Sequence, residues 1–286
     1  MAAENTPAGT GGRDIDLERP SAARMYDWYL GGKANYAIDR EFGKTILEVF
    51  PIVRPVALAN RYLLHRIVRH LVGRGVRQFV DLGSGVPTVG NVHHVADEVA
   101  PDSRVVYVDY EPVAVAHSQR LLDKHGDPER HAVVQADLRS PKSLWKQVRA
   151  TGVVDPAEPI ALLMIAVLHF VPDDDEVEQA LVQYRDLLPA GSYLAISHAT
   201  VDGAQPQRAA EYLQLVQRYD QTANPVRLRS WDETRALFGD FELIEPGMAW
   251  APEWHPEDAS PGTGKKLFNT ADESVVCAAV GYKAEG

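Results

Sequence analysis

The decapeptide FVDLGSGVPT, residues 79–88, decides the fold. Before and into it, Val76 to Leu82 alternates and then fills with Phe79, Val80 and Leu82, the pattern of a strand buried in a sheet. From Pro87 onward, Val92, Val95 and Val99 recur at helical spacing. The stretch therefore predicts a strand, a tight glycine turn and a helix. Gly83 and Gly85, on either side of Ser84, open backbone angles closed to other residues. Having no side chains, they also let a ligand approach the main chain.

Working outward, strand and helix alternate from residue 76 to the end, which predicts an α/β fold. It is a Rossmann-like, mostly parallel sheet with helices on both faces and an antiparallel last strand. Seven strands are expected, near 76–82, 104–109, 131–136, 160–165, 193–199, 240–245 and 274–282. Residues 20–73 read as an N-terminal helical extension, broken at YLGGKANY (29–36), and residues 1–19 as a disordered leader. The expected units are thus 1–19, 20–73 and 74–286. Pro112 suits the first turn of a helix. Asp173 with Glu176, and Ser230 with Glu233, match capping boxes, so the acidic run at 173–175 reads as a helix start and not a metal site.

Composition narrows the function. The longest apolar run, IALLMIAVL (160–168), is far short of the roughly 20 residues that cross a bilayer, so it is a core strand. The leader lacks the apolar stretch of a signal peptide, and a cytoplasmic protein with no membrane partner is expected. Cys277 is the only cysteine, which forbids an intrachain disulfide; set among Val275, Val276, Ala278 and Ala279, it reads as a buried, inert thiol. With 40 acids against 29 bases, polyanions such as nucleic acid are disfavoured partners. Arg61, Arg66, Arg69, Arg74 and Arg77 form one basic cluster, beside a helical stripe of Val56, Ala59, Leu63 and Ile67, and read as a solvated face.

In an open parallel sheet, ligands sit beyond the C-terminal strand ends where the strand order reverses. Those ends here carry Asp81, then Asp109 with Tyr110 and Glu111, then Asp137 with Leu138, then AVLHF at 166–170. A carboxylate at the end of the second strand can accept hydrogen bonds from both ribose hydroxyls, which implies a nucleoside. A dinucleotide fingerprint needs a third glycine at position 88, where this chain has Thr88. A pyrophosphate would also be repelled by three acids in a dry cleft. S-adenosylmethionine, with adenosine, an ammonium and a sulfonium, fits that charge.

The order of acid, glycine loop, ribose acid and adenine-side acid resembles the class I S-adenosylmethionine-dependent methyltransferases over roughly residues 76–282. A narrower likeness lies in ARMYDWYLGGKANYAIDREFG, ANRYLLHRIVRHL, RQFVDLGSGVPT, VVYVDYEP, VQADLRSP, AVLHFVPD and GSYLAISHAT. Together these look like an actinobacterial group of predicted S-adenosylmethionine-dependent methyltransferases. The resemblance implies the fold and the cofactor, with S-adenosylhomocysteine as product, but no acceptor.

By that resemblance, Gly83, Ser84 and Gly85 line the methionine part of the cofactor, with Asp81 near its ammonium, directly or through water. Asp109 binds the ribose, and Tyr110 flanks the adenine. Asp137 accepts from the adenine amino group while Leu138 packs the ring, and Ala166 and Val167 pass beneath. His169, at the mouth of the crevice, is the candidate general base; the competing reading is a hydrogen-bonded structural histidine. His93 and His94 point in different directions and form no metal pair, and methyl transfer needs no metal. Tyr26, Trp28, Tyr29 and Tyr36 crowd around Gly31 and Gly32, either as a lid whose aromatic faces attract a sulfonium or as ordinary packing. Asn35 can donate to cofactor or acceptor.

For the acceptor, a small molecule methylated on oxygen or nitrogen leads. The motif of DNA amino-methyltransferases is absent after the fourth strand, and the lone cysteine is misplaced for a cytosine C5 enzyme. A non-catalytic nucleoside or S-adenosylmethionine sensor is the alternative of another class, and a nucleoside-cofactor oxidoreductase is a third. The oligomeric state is not legible.

Overall fold

The computed structural model describes residues 15–87 and 90–285. Residues 1–14 of the leader, and Thr88 of the fingerprint test, lie outside the described residues. Three helices come first: α1 (Ala22–Tyr29), α2 (Ala37–Val49) and α3 (Val53–Gly73). Strand and helix then alternate as β1 (Gln78–Leu82), α4 (Val92–Asp97), β2 (Arg104–Asp109), α5 (Pro112–His125), β3 (His131–Gln135), α6 (Pro141–Ala150) and β4 (Ala161–Ile165). After these come α7 (Asp174–Leu187), β5 (Tyr193–Ala199), α8 (Pro206–Tyr219), α9 (Trp231–Ala236), β6 (Glu242–Leu243), β7 (Ala249–Trp250) and β8 (Val276–Tyr282).

The sheet runs in the order β3-β2-β1-β4-β5-β8-β6, with β7 also paired to β8. Strands β1 to β5 are parallel, and β8 runs antiparallel to β5, β6 and β7. The chain steps outward from β1 to β2 and β3, then returns to place β4 on the other side of β1. That reversal opens the crevice between the ends of β1 and β4.

Alternation along each strand fills both faces. Phe79, Leu163 and Ile165 join a core with α3 and α4, whereas Val80, Leu82, Leu162 and Met164 join one with α6 and α7. A third core binds α1 and α2 to α8 through Met25, Ile46, Phe50, Tyr212, Leu215 and Tyr219. Gly31 (φ 84°) lies just past α1, in the predicted break. A Cβ on Gly32 would lie 1.8 Å from Asp27 Oδ1. The Asp27 carboxylate in turn accepts from the Ala34 N–H and from Asn35 Nδ2. Arg24, fully buried on α1, bonds Asp39 of α2 at 2.8 Å and approaches Glu111 at 3.5 Å, tying the first helices to the turn after β2.

Several expectations need correction. The strand expected at 240–245 is only the short β6, and beyond Pro246, which offers no ladder N–H, an unexpected β7 also pairs with β8, giving eight strands among the described residues. The last strand starts at Val276, after a short 3-10 turn and the left-handed Val275 (φ 46°). The helix after the glycine loop spans only Val92–Asp97, and Val99 is 44% exposed, with Pro101 close behind. Asp173 caps α7 through the Glu176 N–H without the reciprocal bond, while Ser230 and Glu233 form the full box. The basic cluster is not one solvated face: Arg66 is buried and donates to the Trp254 carbonyl, and Arg61 is buried as well.

Cys277 is buried in β8 between His198 of β5 and Trp250 of β7, and burial pushes its thiol up to about 11. Among the described residues, no helix is long and apolar enough to cross a membrane.

Candidate functional site

A cavity of about 450 Å³ opens at the β1/β4 reversal. Such a volume lies within the range of small-ligand sites, about 300–1,000 Å³. Its floor is the glycine loop. The Gly83 and Ser84 N–H groups both donate to the Val108 carbonyl, so the loop leaves β1 by folding over the end of β2. Gly83 (φ 68°) has no room for a side chain, because a Cβ would meet Val167 Cγ2 at 2.3 Å. Gly85 (φ 66°) faces open space, and its N–H donates to Asp109 Oδ2 at 2.7 Å.

Asp109 also accepts from the Glu111 N–H, through its other oxygen. The Tyr110 N–H is a third backbone donor, and part of the carboxylate's acceptor capacity remains for a ligand. Burial pushes the Asp109 carboxyl up to about 6. Asp81 is pushed to about 7, mainly by burial and further by Asp109, against the pull of Arg61. Asp137 lines the cavity with its carboxylate held bidentate by Arg139, and the Leu138 carbonyl accepts from Tyr184 Oη. Tyr110 Oη accepts from Asn224 Nδ2.

Beyond the end of β4, Ala166 takes a left-handed backbone (φ 55°), a costly conformation for a residue with a Cβ. Its N–H donates to Ser197 Oγ, whose hydroxyl donates to Asn60 Oδ1 on α3. His169 lines the cavity, and its Nδ1 has no partner among the described residues. Burial first, then His198 and Arg229, hold its pKa well below the usual imidazole value. The ring is therefore uncharged at pH 7 and weakly basic.

All ten expected cofactor residues, Asp81 to Val167, line this one cavity. Of the aromatic and glycine set upstream, Tyr26 and Tyr29 line it, whereas Gly31, Gly32, Asn35 and Tyr36 do not. Asn35 is engaged by Asp27, Gly32 and Arg40. His93 is buried against Tyr107 with His94 exposed, though the two rings lie 4.0 Å apart. His70, His255 and Asp258 cluster elsewhere within 4.8 Å, and their ring nitrogens are occupied: His70 by Asp258 and Arg74, His255 by Glu257 and the Glu245 carbonyl.

The sequence reading missed the opposite wall. Phe50, Tyr212, Tyr219, Phe170 and Val226 make it apolar, Asn224 adds a polar group, and Asn60 and Arg61 line the cavity further along α3. Ala57, Asn60, Arg61 and Leu64 recur at helical spacing, a second face of α3 that periodicity could have revealed.

The donor set suits S-adenosylmethionine: Asp109, at the end of β2, keeps some acceptor capacity, and Gly85 offers space where a Cβ would stand.

Two solved structures of similar proteins share this architecture. One, from Thermobifida fusca YX and provisionally described as a methyltransferase, is 35% identical, with a TM-score of 0.82 over 94% of this chain and 97% of its own. The other, a DUF574 family protein from Streptomyces avermitilis, is 36% identical, with a TM-score of 0.85 over 94% of this chain and 100% of its own. No curated protein matches the chain. The sequence profile described as S-adenosyl methyltransferase matches residues 8–284, nearly the whole length, and the chain belongs to that family of S-adenosylmethionine-dependent enzymes.

Proposed function

We propose that the enzyme methylates an oxygen or nitrogen of a small, largely apolar and aromatic molecule. One observation carries this reading: the same cavity that holds the glycine loop and Asp109 continues into the wall of Phe50, Tyr212, Tyr219 and Phe170. Donor and acceptor would then meet without crossing solvent. When bound, S-adenosylmethionine supplies a methyl group already activated on its sulfonium.

The chain's work is alignment and exclusion of water. Asp109 would accept from the ribose hydroxyls while its bond to Gly85 fixes the loop. Asp81 would face the ammonium, beside the open main chain of Gly83, Ser84 and Gly85. Asp137 would accept from the adenine amino group, with Leu138 and Tyr110 against the ring, and Ala166 and Val167 would lie beneath. The helices of residues 20–73 would roof the acceptor side of the unit formed by residues 74–286. His169, uncharged, would accept a hydrogen bond from the acceptor's O–H or N–H and so point a lone pair at the methyl. Its low basicity favours orientation first, and the acceptor's proton, made strongly acidic as the methyl bonds, would then pass to the ring.

Calorimetry with S-adenosylhomocysteine, followed by product release with a panel of hydroxylated and aminated planar aromatics, tests this. Asp109→Ala is expected to lose at least about tenfold in S-adenosylhomocysteine affinity, about 1.4 kcal/mol. Equal affinities would remove the ribose assignment. Tight cofactor binding with release stimulated only by charged, non-aromatic acceptors would overturn the acceptor class.

A further inference from the structure

Four arginines are buried among the described residues. Three have evident partners: Arg24 pairs with Asp39, Arg66 donates to the carbonyls of Ala251 and Trp254, and Arg229 meets Asp174 and the carbonyls of Leu168 and Val171. Arg61 has none. Only 8% exposed, it makes no hydrogen bond to a described residue, no described carboxylate stands within 4 Å of it, and its Nε is shut off from water. Its one near neighbour of note is the Tyr26 ring, 5.8 Å away. A guanidinium stays charged at any working pH, and burying that charge unpaired is strongly unfavourable. The side chain lines the cavity, so the missing anion has a place to arrive.

Position on α3 says which anion. The start of that helix, at Val53, with Phe50 just before it, lies on the apolar wall, whereas His65, one turn beyond Arg61, bonds the Gly90 carbonyl after the glycine loop. Arg61 therefore stands at the loop end, where Asp81 also feels its charge. An acid and a base face one cavity there, held too far apart to neutralise each other. An α-amino acid zwitterion inserts its ammonium beside the acid and its carboxylate beside the base.

We propose that Arg61 binds the carboxylate of the methionine moiety, so that the helical extension completes the cofactor site. This rests on the donor assignment above. The fork of N–H groups can hold a carboxylate through two parallel bonds.

The test compares S-adenosylhomocysteine with S-adenosyl-3-thiopropylamine, which keeps the amine and lacks the carboxylate. Wild-type protein is expected to prefer the former by at least about tenfold, and Arg61→Gln to lose that preference while holding the amine analogue within about twofold; Arg61→Lys should recover part of it. Equal binding of the two ligands by wild type, or parallel losses in the variant, would overturn the proposal. So would a variant impaired only in turnover, which would give the guanidinium to the acceptor. Should Arg61→Gln not fold, the wild-type comparison and Arg61→Lys still decide. Failure of wild type to bind either ligand would instead remove the donor assignment itself.

Discussion

Gly83 and Gly85 look interchangeable in the sequence, yet the structure asks different things of them. At Gly83 a methyl group would collide with Val167 as well as strain the backbone, so Gly83→Ala should cost about 1–3 kcal/mol of stability, read as a fall in Tm. At Gly85 the space is open and only the φ is unfavourable. Gly85→Ala should therefore unfold near wild type, with a loss of about 1 kcal/mol, but bind S-adenosylhomocysteine markedly less well. Equal Tm losses in the two variants would contradict this division. The acids were legible because a strand end fixes where its last side chain points. Arg61 was not, because burial of a helical residue depends on what covers that face, and a charged residue reads by default as solvated. The same blindness hid the depressed imidazole of His169, which arises first from burial and then from His198 and Arg229, residues distant in sequence.

Among the elements, the parallel strands β1 to β5 followed their sequence patterns to within a residue or two, since each carries an apolar run and all but β3, at the sheet edge, are almost wholly buried. Prediction failed where a turn interrupts the pattern, as at Pro246, and where a helix is cut short, as after Asp97. Helices α1 and α2 were legible, but their seat was not. They dock on α8 and its following loop, where Asn224 Oδ1 accepts from the Ala22 N–H and the Pro20 carbonyl from the Ala223 N–H, contacts spanning about two hundred residues. The buried pair of Arg24 and Asp39 fixes the angle between the two helices. Asp39→Ala should destabilise by about 3–5 kcal/mol in chemical denaturation, because it strands a buried guanidinium. Arg24→Met combined with Asp39→Leu should cost less than Asp39→Ala alone. A mild single variant would mean that Glu111, 3.5 Å from Arg24, takes over the charge.

Across the whole molecule, the cavity buries two carboxyls, Asp81 and Asp109, whose charged forms the protein alone does not favour. Asp81 and Asp109 have folded values of about 7 and about 6 against an ordinary 3.8, so burial favours their neutral forms. Their contribution to stability is fully present below about pH 4 and is lost as pH rises through 6 and 7. A cationic ligand reverses that preference. Affinity for S-adenosylmethionine should rise between about pH 5.5 and 7.5 with release of protons on binding, measured by calorimetry in buffers of different ionisation enthalpy, and Asp81→Asn should flatten much of the rise. A pH-independent affinity without proton release would refute the charge assignment. The solitary thiol of Cys277 lies inside this same fold, clamped between two neighbouring strands in the antiparallel part of the sheet. A maleimide can reach it only when the sheet opens, so its labelling rate is a native clock for that opening. Slowing of the clock by a small molecule would reveal a ligand of the folded state without any assay of methyl transfer.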